Sequence, residues 1–234
     1  MSSHVVVIAV DGPSGSGKSS VSKAVAARLG LAYLDTGAMY RAATLWCVEG
    51  GTDLADQAAV ADAVRAMPLE MGVDPAAPTV HLGGRDVAEA IRTTAVSTAV
   101  SQVATNLEVR AELRRRQRAV IEAENAPGGF SGGQGIVAEG RDITTVVAPD
   151  ADARVLLTAS EEARLRRRSL EVHGAADASA VEATRDQVLR RDRDDSTVSQ
   201  FQVAADGVAT VDSSDLDFDQ TVDAVLAVVA QVTA

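Results

Sequence analysis

Residues 5–20 read Val5-Val6-Val7-Ile8-Ala9-Val10 and then Asp11-Gly12-Pro13-Ser14-Gly15-Ser16-Gly17-Lys18-Ser19-Ser20, and this stretch decides the fold. Six apolar residues in a row, mostly β-branched, suit a strand buried on both faces of a parallel sheet. Gly12, Gly17, Lys18 and Ser19 satisfy the spacing G-x-x-x-x-G-K-[ST] of a phosphate-binding loop. Its glycines let main-chain N–H groups curl around an anion beside a helix N-terminus, which itself favours negative charge. In such a loop Lys18 reaches the β and γ phosphates of a nucleoside triphosphate, and the Ser19 hydroxyl joins the shell of a Mg2+ ion. A Gly/Ser turn with a solvated lysine would match the same residues, but a strand before and a helix after them favour the cradle.

The chain has 234 residues and a formal net charge of -11. That balance argues against a nucleic-acid polymer or an anionic membrane as the main partner, so any anionic ligand has to be held locally. The length suits one sizeable α/β domain with room for an insertion. Lys18 and Lys23 are the only lysines among 22 basic residues, and the rest are arginines, whose forks suit phosphate. Cys47 is alone, and with only His4, His81 and His173 besides, neither a disulfide framework nor a structural zinc site is expected. The N-terminal apolar run is short, and no stretch approaches the roughly 18 apolar residues of a membrane span. A cytoplasmic protein without a signal peptide is expected.

Outward from the loop, Val21, Ala24, Val25 and Leu29 recur at helical spacing and Gly30 supplies the stop. Leu31 to Leu34 reads as a second strand, ending in Asp35-Thr36-Gly37-Ala38-Met39-Tyr40-Arg41. Open parallel sheets bind ligands at the carboxyl ends of their strands, so Asp35, Thr36 and Arg41 should lie near the cradle, an N-cap and a surface charge being the plainer readings. Residues 53–67 form an amphipathic helix closed by Pro68. Leu69 to Val73 and Thr79 to Val87 read as short strands, the second folded about Gly83-Gly84, which makes a small antiparallel insertion sized to cap a site. His81 within it reads as structural.

From Thr93 to Glu124 the pattern returns to helix, with Arg114, Arg115, Arg116 and Arg118 as a solvated face. Residues 128–135 are glycine-rich and without periodicity, the mark of a mobile loop with no chemistry. Ile136 to Glu139 is a third strand running into Gly140-Arg141-Asp142, and Arg154 to Ala159 is a fourth. Ser160 is placed to cap a helix on which Arg164, Arg167 and Arg168 share a face. The capping box Ser179-x-x-Glu182 opens another helix that runs into Arg190-Arg191-Asp192-Arg193-Asp194-Asp195, with residues 173–177 between them as a hinge. Two arginine-bearing helices around a hinge make a lid that closes on phosphates. Val208 to Val211 is the last strand, followed by a helix on Val222, Val225, Leu226 and Val229. The expected class is α/β: a five-stranded parallel sheet flanked by helices, with the insertion and the lid.

Gly12 to Ser20, Asp35 to Arg41, Glu139-Gly140-Arg141-Asp142, the helix from Glu161 to Arg168 and Arg191-Asp192-x-x-Asp195-Ser196 resemble, in order and spacing, the bacterial cytidylate kinases. The match runs from about residue 5 to the C-terminus. The resemblance implies the P-loop kinase fold as one domain over residues 1–234, with an NMP-binding insertion at about 53–105 and a lid at about 161–195. It implies transfer of the γ-phosphoryl group of ATP to CMP or dCMP by a Mg2+-dependent monomer. By position, Gly12, Pro13, Ser14, Gly15, Ser16, Gly17, Lys18, Ser19, Ser20 and Arg167 would bind ATP, and Ser19 would hold Mg2+ together with phosphates and water. Asp35, Thr36, Arg41, Ser101, Arg110, Arg141, Asp142, Arg191 and Asp195 would form the CMP site. Within it Ser101, Arg110 and Asp142 read the cytosine edge, and Asp195 contacts ribose. Lys18, Arg141, Arg164, Arg168 and Arg191 would be the catalytic cations. The chain departs from the family where another arginine and a proline usually follow Asp-Ser: it reads Ser196-Thr197-Val198-Ser199-Gln200-Phe201. The glycine-rich loop before Glu139 is also longer than usual.

The residue chemistry fits that role on its own terms. A phosphate acceptor is anionic at neutral pH, so no general base is required, and transfer needs in-line positioning with positive charge around the moving group. A related kinase acting on UMP or a non-nucleotide is the alternative enzyme. A nucleotide-binding regulator is the alternative from another class, disfavoured by the absent Asn-Lys-x-Asp run and by arginines that have no purpose in a switch.

Overall fold

A computed structural model describes residues 5–174 and 177–233. The apolar run opens the chain as β1 (Val6–Asp11), the middle strand of a parallel sheet. On one side of it lie β6 (Gly135–Gly140) and then β2 (Ala32–Asp35). On the other lie β7 (Ala153–Thr158) and β8 (Ala209–Asp212). The expected five strands are therefore present, all parallel. Ile8 and Val10 pack on one face with Val21, Val25, Val222, Val225 and Val229, while Ala9 faces Leu34, Met39, Ile121, Ile143 and Val147 on the other. An apolar run without alternation is what a strand covered on both faces requires.

Register decides where the site forms. Asp35 pairs with Glu139, and Asp11 with Gly140, so three strand ends finish level beside the phosphate loop. The loop hands the chain to α1 (Lys18–Leu29), and β2 to α2 (Thr36–Glu49), whose N-cap is Asp35.

The insertion shares one buried cluster with α2 and the helices that follow it. Val60 and Val64 of α3 (Gln57–Ala66) belong to it, as do Val80 and Leu82 of a three-stranded antiparallel sheet, β3 (Leu69–Met71), β4 (Val80–Leu82) and β5 (Arg85–Asp86). Gly83 and Gly84 make the expected turn with φ of 57° and 78°, a region that glycine occupies without strain. The span from Thr93 to Glu124 is two helices rather than one, α4 (Thr94–Ala104) and α5 (Leu107–Glu124). Asn106 breaks it, since its side chain accepts the N–H groups of Glu108 and Val109 and restarts the helix.

Three further expectations need correction. Of the four arginines expected to form a solvated face, Arg115 and Arg118 are exposed, whereas Arg114 and Arg116 are half-buried. Arg114 pairs with Asp142, Arg116 donates to the Met67 carbonyl at 2.8 Å, and Arg118 donates to the Val147 carbonyl at 3.2 Å. The glycine-rich segment is pinned rather than free: the buried Glu124 carboxylate accepts the N–H groups of Phe130 and Ser131, and the Ser131 hydroxyl accepts that of Gly135. The segment expected as a lid holds α6 (Glu161–His173), capped by Ser160, and α7 (Ala178–Ser196), whose cap is Asp177 and not Ser179. Part of the expected hinge, residues 175 and 176, lies outside the described residues. α8 (Phe218–Thr233) closes the chain, and among the described residues no helix is long and apolar enough to cross a membrane.

Candidate active site

The site grows from the turn after β1. Gly15 has φ of 76°, and a Cβ there would lie 2.5 Å from the Arg164 carbonyl oxygen, so only glycine lets α6 approach the loop. Lys18, at the first position of α1, folds back and donates from Nζ to the Pro13 carbonyl at 3.1 Å. Burial, reinforced by the Arg141 guanidinium, lowers the Lys18 ammonium to about 8. The Ser19 hydroxyl donates to Glu139 Oε1 at 2.6 Å, and the Tyr33 hydroxyl donates to the same oxygen at 3.3 Å. Burial is the main cause that raises the Glu139 carboxyl, with the neighbouring Asp35 charge next and Lys18 opposing both.

Asp11 aims the second half of the site. Its buried carboxylate accepts the Ile143 and Thr144 N–H groups and the Thr144 hydroxyl, which anchors a π-helical turn over Ile143–Val147. Anchoring that turn fixes the preceding Arg141 and Asp142 against the phosphate loop. Arg141 bonds to the Gly12 carbonyl, to the Ser14 hydroxyl at 2.8 Å, to Asp192 at 3.1 Å and to Asp195 at 3.0 Å. Arg164 donates to the Ser14 carbonyl at 2.9 Å and to Asp192. Arg167 joins the Ser16 carbonyl to the Ser213 hydroxyl and carbonyl and the Leu216 carbonyl.

Two connected spaces result. A cleft of about 270 Å³ is lined by Lys18, Ser19, Asp35, Arg41, Glu139, Arg141, Arg168 and Arg191, with Met71, Thr79 and Ile91 of the insertion as its far wall. Arg191 is lowered to about 9 by burial first and then by Arg41 and Arg141, and its Nε makes no hydrogen bond, with Asp195 Oδ2 3.8 Å away. Beyond Gly140 a recess of about 40 Å³ is lined by Thr36, Tyr40, Val100, Arg110, Asp142 and Asp195. Asp142 Oδ2 accepts Arg110 Nη2 at 2.7 Å and both Nε and Nη2 of Arg114, at 2.9 and 2.6 Å.

Of the residues read from the sequence, Ser14, Gly15, Gly17, Lys18, Ser19, Ser20, Asp35, Arg41, Arg141, Arg168 and Arg191 line the cleft, and Thr36, Arg110, Asp142 and Asp195 line the recess. Ser101 is half-buried on α4 and lines neither, though Val100 beside it lines the recess. Asp35 serves as helix cap and cleft wall together. The sequence reading gave no role to Glu139, Asp192, Arg114 or Tyr40. For Glu139 a signal was present, an acid ending a strand beside the loop. For the others none was local.

A family model described as cytidylate kinase matches residues 8–231. Relatives named cytidylate kinase include one from Streptomyces avermitilis, 47% identical over 231 residues, which cover 98% of this chain and 94% of the relative. Another, from Rhodococcus jostii, is 47% identical over 236 residues, covering 100% of this chain and 98% of the relative. One from Cutibacterium acnes is 46% identical, covering 97% of this chain and 96% of the relative.

Proposed function

We propose that this chain, which belongs to the cytidylate kinase family and transfers a phosphoryl group from ATP to CMP or dCMP, does so across the cleft between the phosphate loop and the arginines. One observation carries this reading: Lys18, Arg41, Arg141, Arg168 and Arg191 converge on one cleft in a chain of net charge -11. Cations gathered so closely, with two of them depressed by burial and mutual repulsion, await a strongly anionic ligand.

In this reading the main chain and hydroxyls of Gly12 to Ser20 hold the triphosphate, and Lys18 exchanges the Pro13 carbonyl for the β and γ phosphates. Arg167 bounds the ATP side through its bonds to Ser16 and Ser213. Arg41, Arg141 and Arg191 take the acceptor phosphate, Asp195 takes the ribose, and Ser101, Arg110 and Asp142 take the cytosine edge. Arg164 and Arg168 come from the lid, and insertion, lid and core work as one kinase domain. The acceptor oxygen already carries charge, so the residues orient the phosphates in line and neutralise them while moving no proton.

The donor set fits a magnesium ion. The Ser19 hydroxyl sits 2.6 Å from Glu139, and Asp35 is near enough to repel that carboxylate, a repulsion that a divalent cation relieves. Ser19 and Glu139 would hold the ion, which would supply positive charge against the phosphates.

Cytosine offers an N4 amine to a carboxylate and N3 and O2 acceptors to a guanidinium, whereas uracil reverses two of those groups. A panel of CMP, dCMP, UMP and AMP in a coupled ADP assay tests the reading. CMP and dCMP should support turnover, with UMP at least about tenfold lower in kcat/KM. Equal use of UMP, or ADP release that ignores the acceptor, would overturn it.

A further inference from the structure

Four parts of the chain grip the Arg110 guanidinium. Nη1 donates to the Ala104 carbonyl at 3.1 Å, and the Tyr40 ring centre lies 5.6 Å from the guanidinium carbon. Nη2 donates to Asp142 Oδ2 at 2.7 Å and to Ser199 Oγ at 2.6 Å. Tyr40, Ala104 and Asp142 belong to core and insertion. Ser199 belongs to the segment that leaves the lid helix, which ends at Ser196.

The same segment then buries Phe201, which is 1% exposed, with its ring centre 4.5 Å from the Arg141 guanidinium carbon. Arg141 has directed its nitrogens at Gly12, Ser14, Asp192 and Asp195, all roughly in the guanidinium plane, so the ring covers a flat face that no hydrogen bond can use. Val198, where the resemblance led one to expect an arginine, is half-buried and lines neither the cleft nor the recess. In its place the segment grips two arginines that other elements supply.

A guanidinium only donates, so the Ser199 oxygen must accept from Nη2, and its own proton remains for another acceptor. That second bond holds Nη2 at the angle at which it also meets Asp142. Without the hydroxyl, Nη2 keeps one acceptor, and the planar guanidinium gains freedom to tilt as a unit through the torsions of its side-chain stem, with Nη1 still held by the Ala104 carbonyl. Phe201 acts on the other arginine, the one assigned to the acceptor phosphate rather than to the base.

We propose that Ser199 and Phe201 are positioning residues of the acceptor site, Ser199 setting Arg110 for base selection and Phe201 setting Arg141 for the acceptor phosphate. This rests on the assignment of Arg110 and Asp142 to the base and of Arg141 to the phosphate.

The two roles separate kinetically. In the full-length chain, CMP and UMP kinetics are measured for wild type, Ser199→Ala, Ser199→Thr, Phe201→Leu and Asp142→Asn, with thermal melts as the check on folding. Ser199→Ala should reduce the CMP to UMP ratio of kcat/KM about three- to tenfold, the loss of one charged hydrogen bond's alignment. That loss should fall on KM for CMP more than on kcat, and Ser199→Thr, which keeps the hydroxyl, should retain the wild-type ratio. Phe201→Leu should lower kcat/KM for both bases about equally and leave their ratio in place. Where Phe201→Leu does not fold, Phe201→Met keeps the volume without the ring and carries the same expectation. A ratio in Ser199→Ala within about twofold of wild type, or a Phe201 loss confined to one base, would overturn the proposal. If Asp142→Asn also leaves the ratio unmoved, the assignment of the base readers fails rather than the role of Ser199.

Discussion

The main-chain N–H of Ser14, in the phosphate loop, donates to the Asp192 carboxylate of the lid helix at 3.0 Å. The same carboxylate receives Arg141 and Arg164, so one acid on α7 neutralises two cations and ties that helix to the phosphate loop.

Asp192→Asn should therefore destabilise the free protein, since Arg164 is left largely buried against a neutral partner while Arg141 keeps Asp195 as its remaining acid. The cost expected is about 3 kcal/mol. ATP supplies negative charge at the same place, so it should raise the melting temperature of the variant by more than that of wild type. Thermal melts with and without ATP check this, and equal ATP shifts would mean that Asp192 does not share the nucleotide's cations.

Lys18 gives two pH effects of opposite sign. Its ammonium titrates at about 8 in the folded chain and near 10.5 when unfolded, so between those values the unfolded state binds more protons. Its contribution to folding stability is then complete above the unfolded value and is lost as pH falls through about 8. ATP binding needs the protonated form, so affinity for ATP should weaken as pH rises through the same window. Denaturation midpoints and ATP titrations from pH 7 to 10 separate the two trends. Lys18→Ala should lower kcat by a factor on the order of 10² or more with the fold intact.

Glu139→Gln keeps a hydrogen bond for Ser19 and removes the charge. The Mg2+ concentration for half-maximal activity should rise about tenfold, the order of loss on altering an outer-shell partner of a metal. A magnesium titration at fixed ATP measures it. An unmoved midpoint would place the cation away from Ser19 and Glu139.

Asp142 bridges Arg110 and Arg114, so its loss has a structural part as well as a selective one. Asp142→Asn, which keeps the shape, should shrink the CMP to UMP ratio mainly by damaging CMP use, since a neutral amide oxygen accepts the cytosine N4 amine more weakly than a carboxylate does. Equal losses for both monophosphates would show the carboxylate to be only a partner for arginine. Arg114→Leu should also reduce the ratio, by less, because Arg110 still holds the same oxygen.

What the sequence by itself determined is what depends on near neighbours along the chain. The spacing from Gly12 to Ser19 specifies a phosphate loop because the eight residues form it together, and the unbroken apolar run before it specifies a strand covered on both faces. Local chemistry likewise announced the Gly83-Gly84 turn and the amphipathic helices. Helix starts were less legible, because Asn106 and Asp177 cap through geometry that Ser and Glu spacing only imitates. Tertiary structure alone decided which arginine meets which acid. Arg114, Arg115, Arg116 and Arg118 look alike in sequence, yet successive helix residues point about 100° apart, so Arg115 and Arg118 are exposed while Arg114 and Arg116 are half-buried against acceptors from other elements. The pairs that build the site join Ser19 to Glu139 across 120 residues of chain and Ser14 to Asp192 across 178. No local pattern carries such partners, because strand order and register, not sequence proximity, bring their elements together.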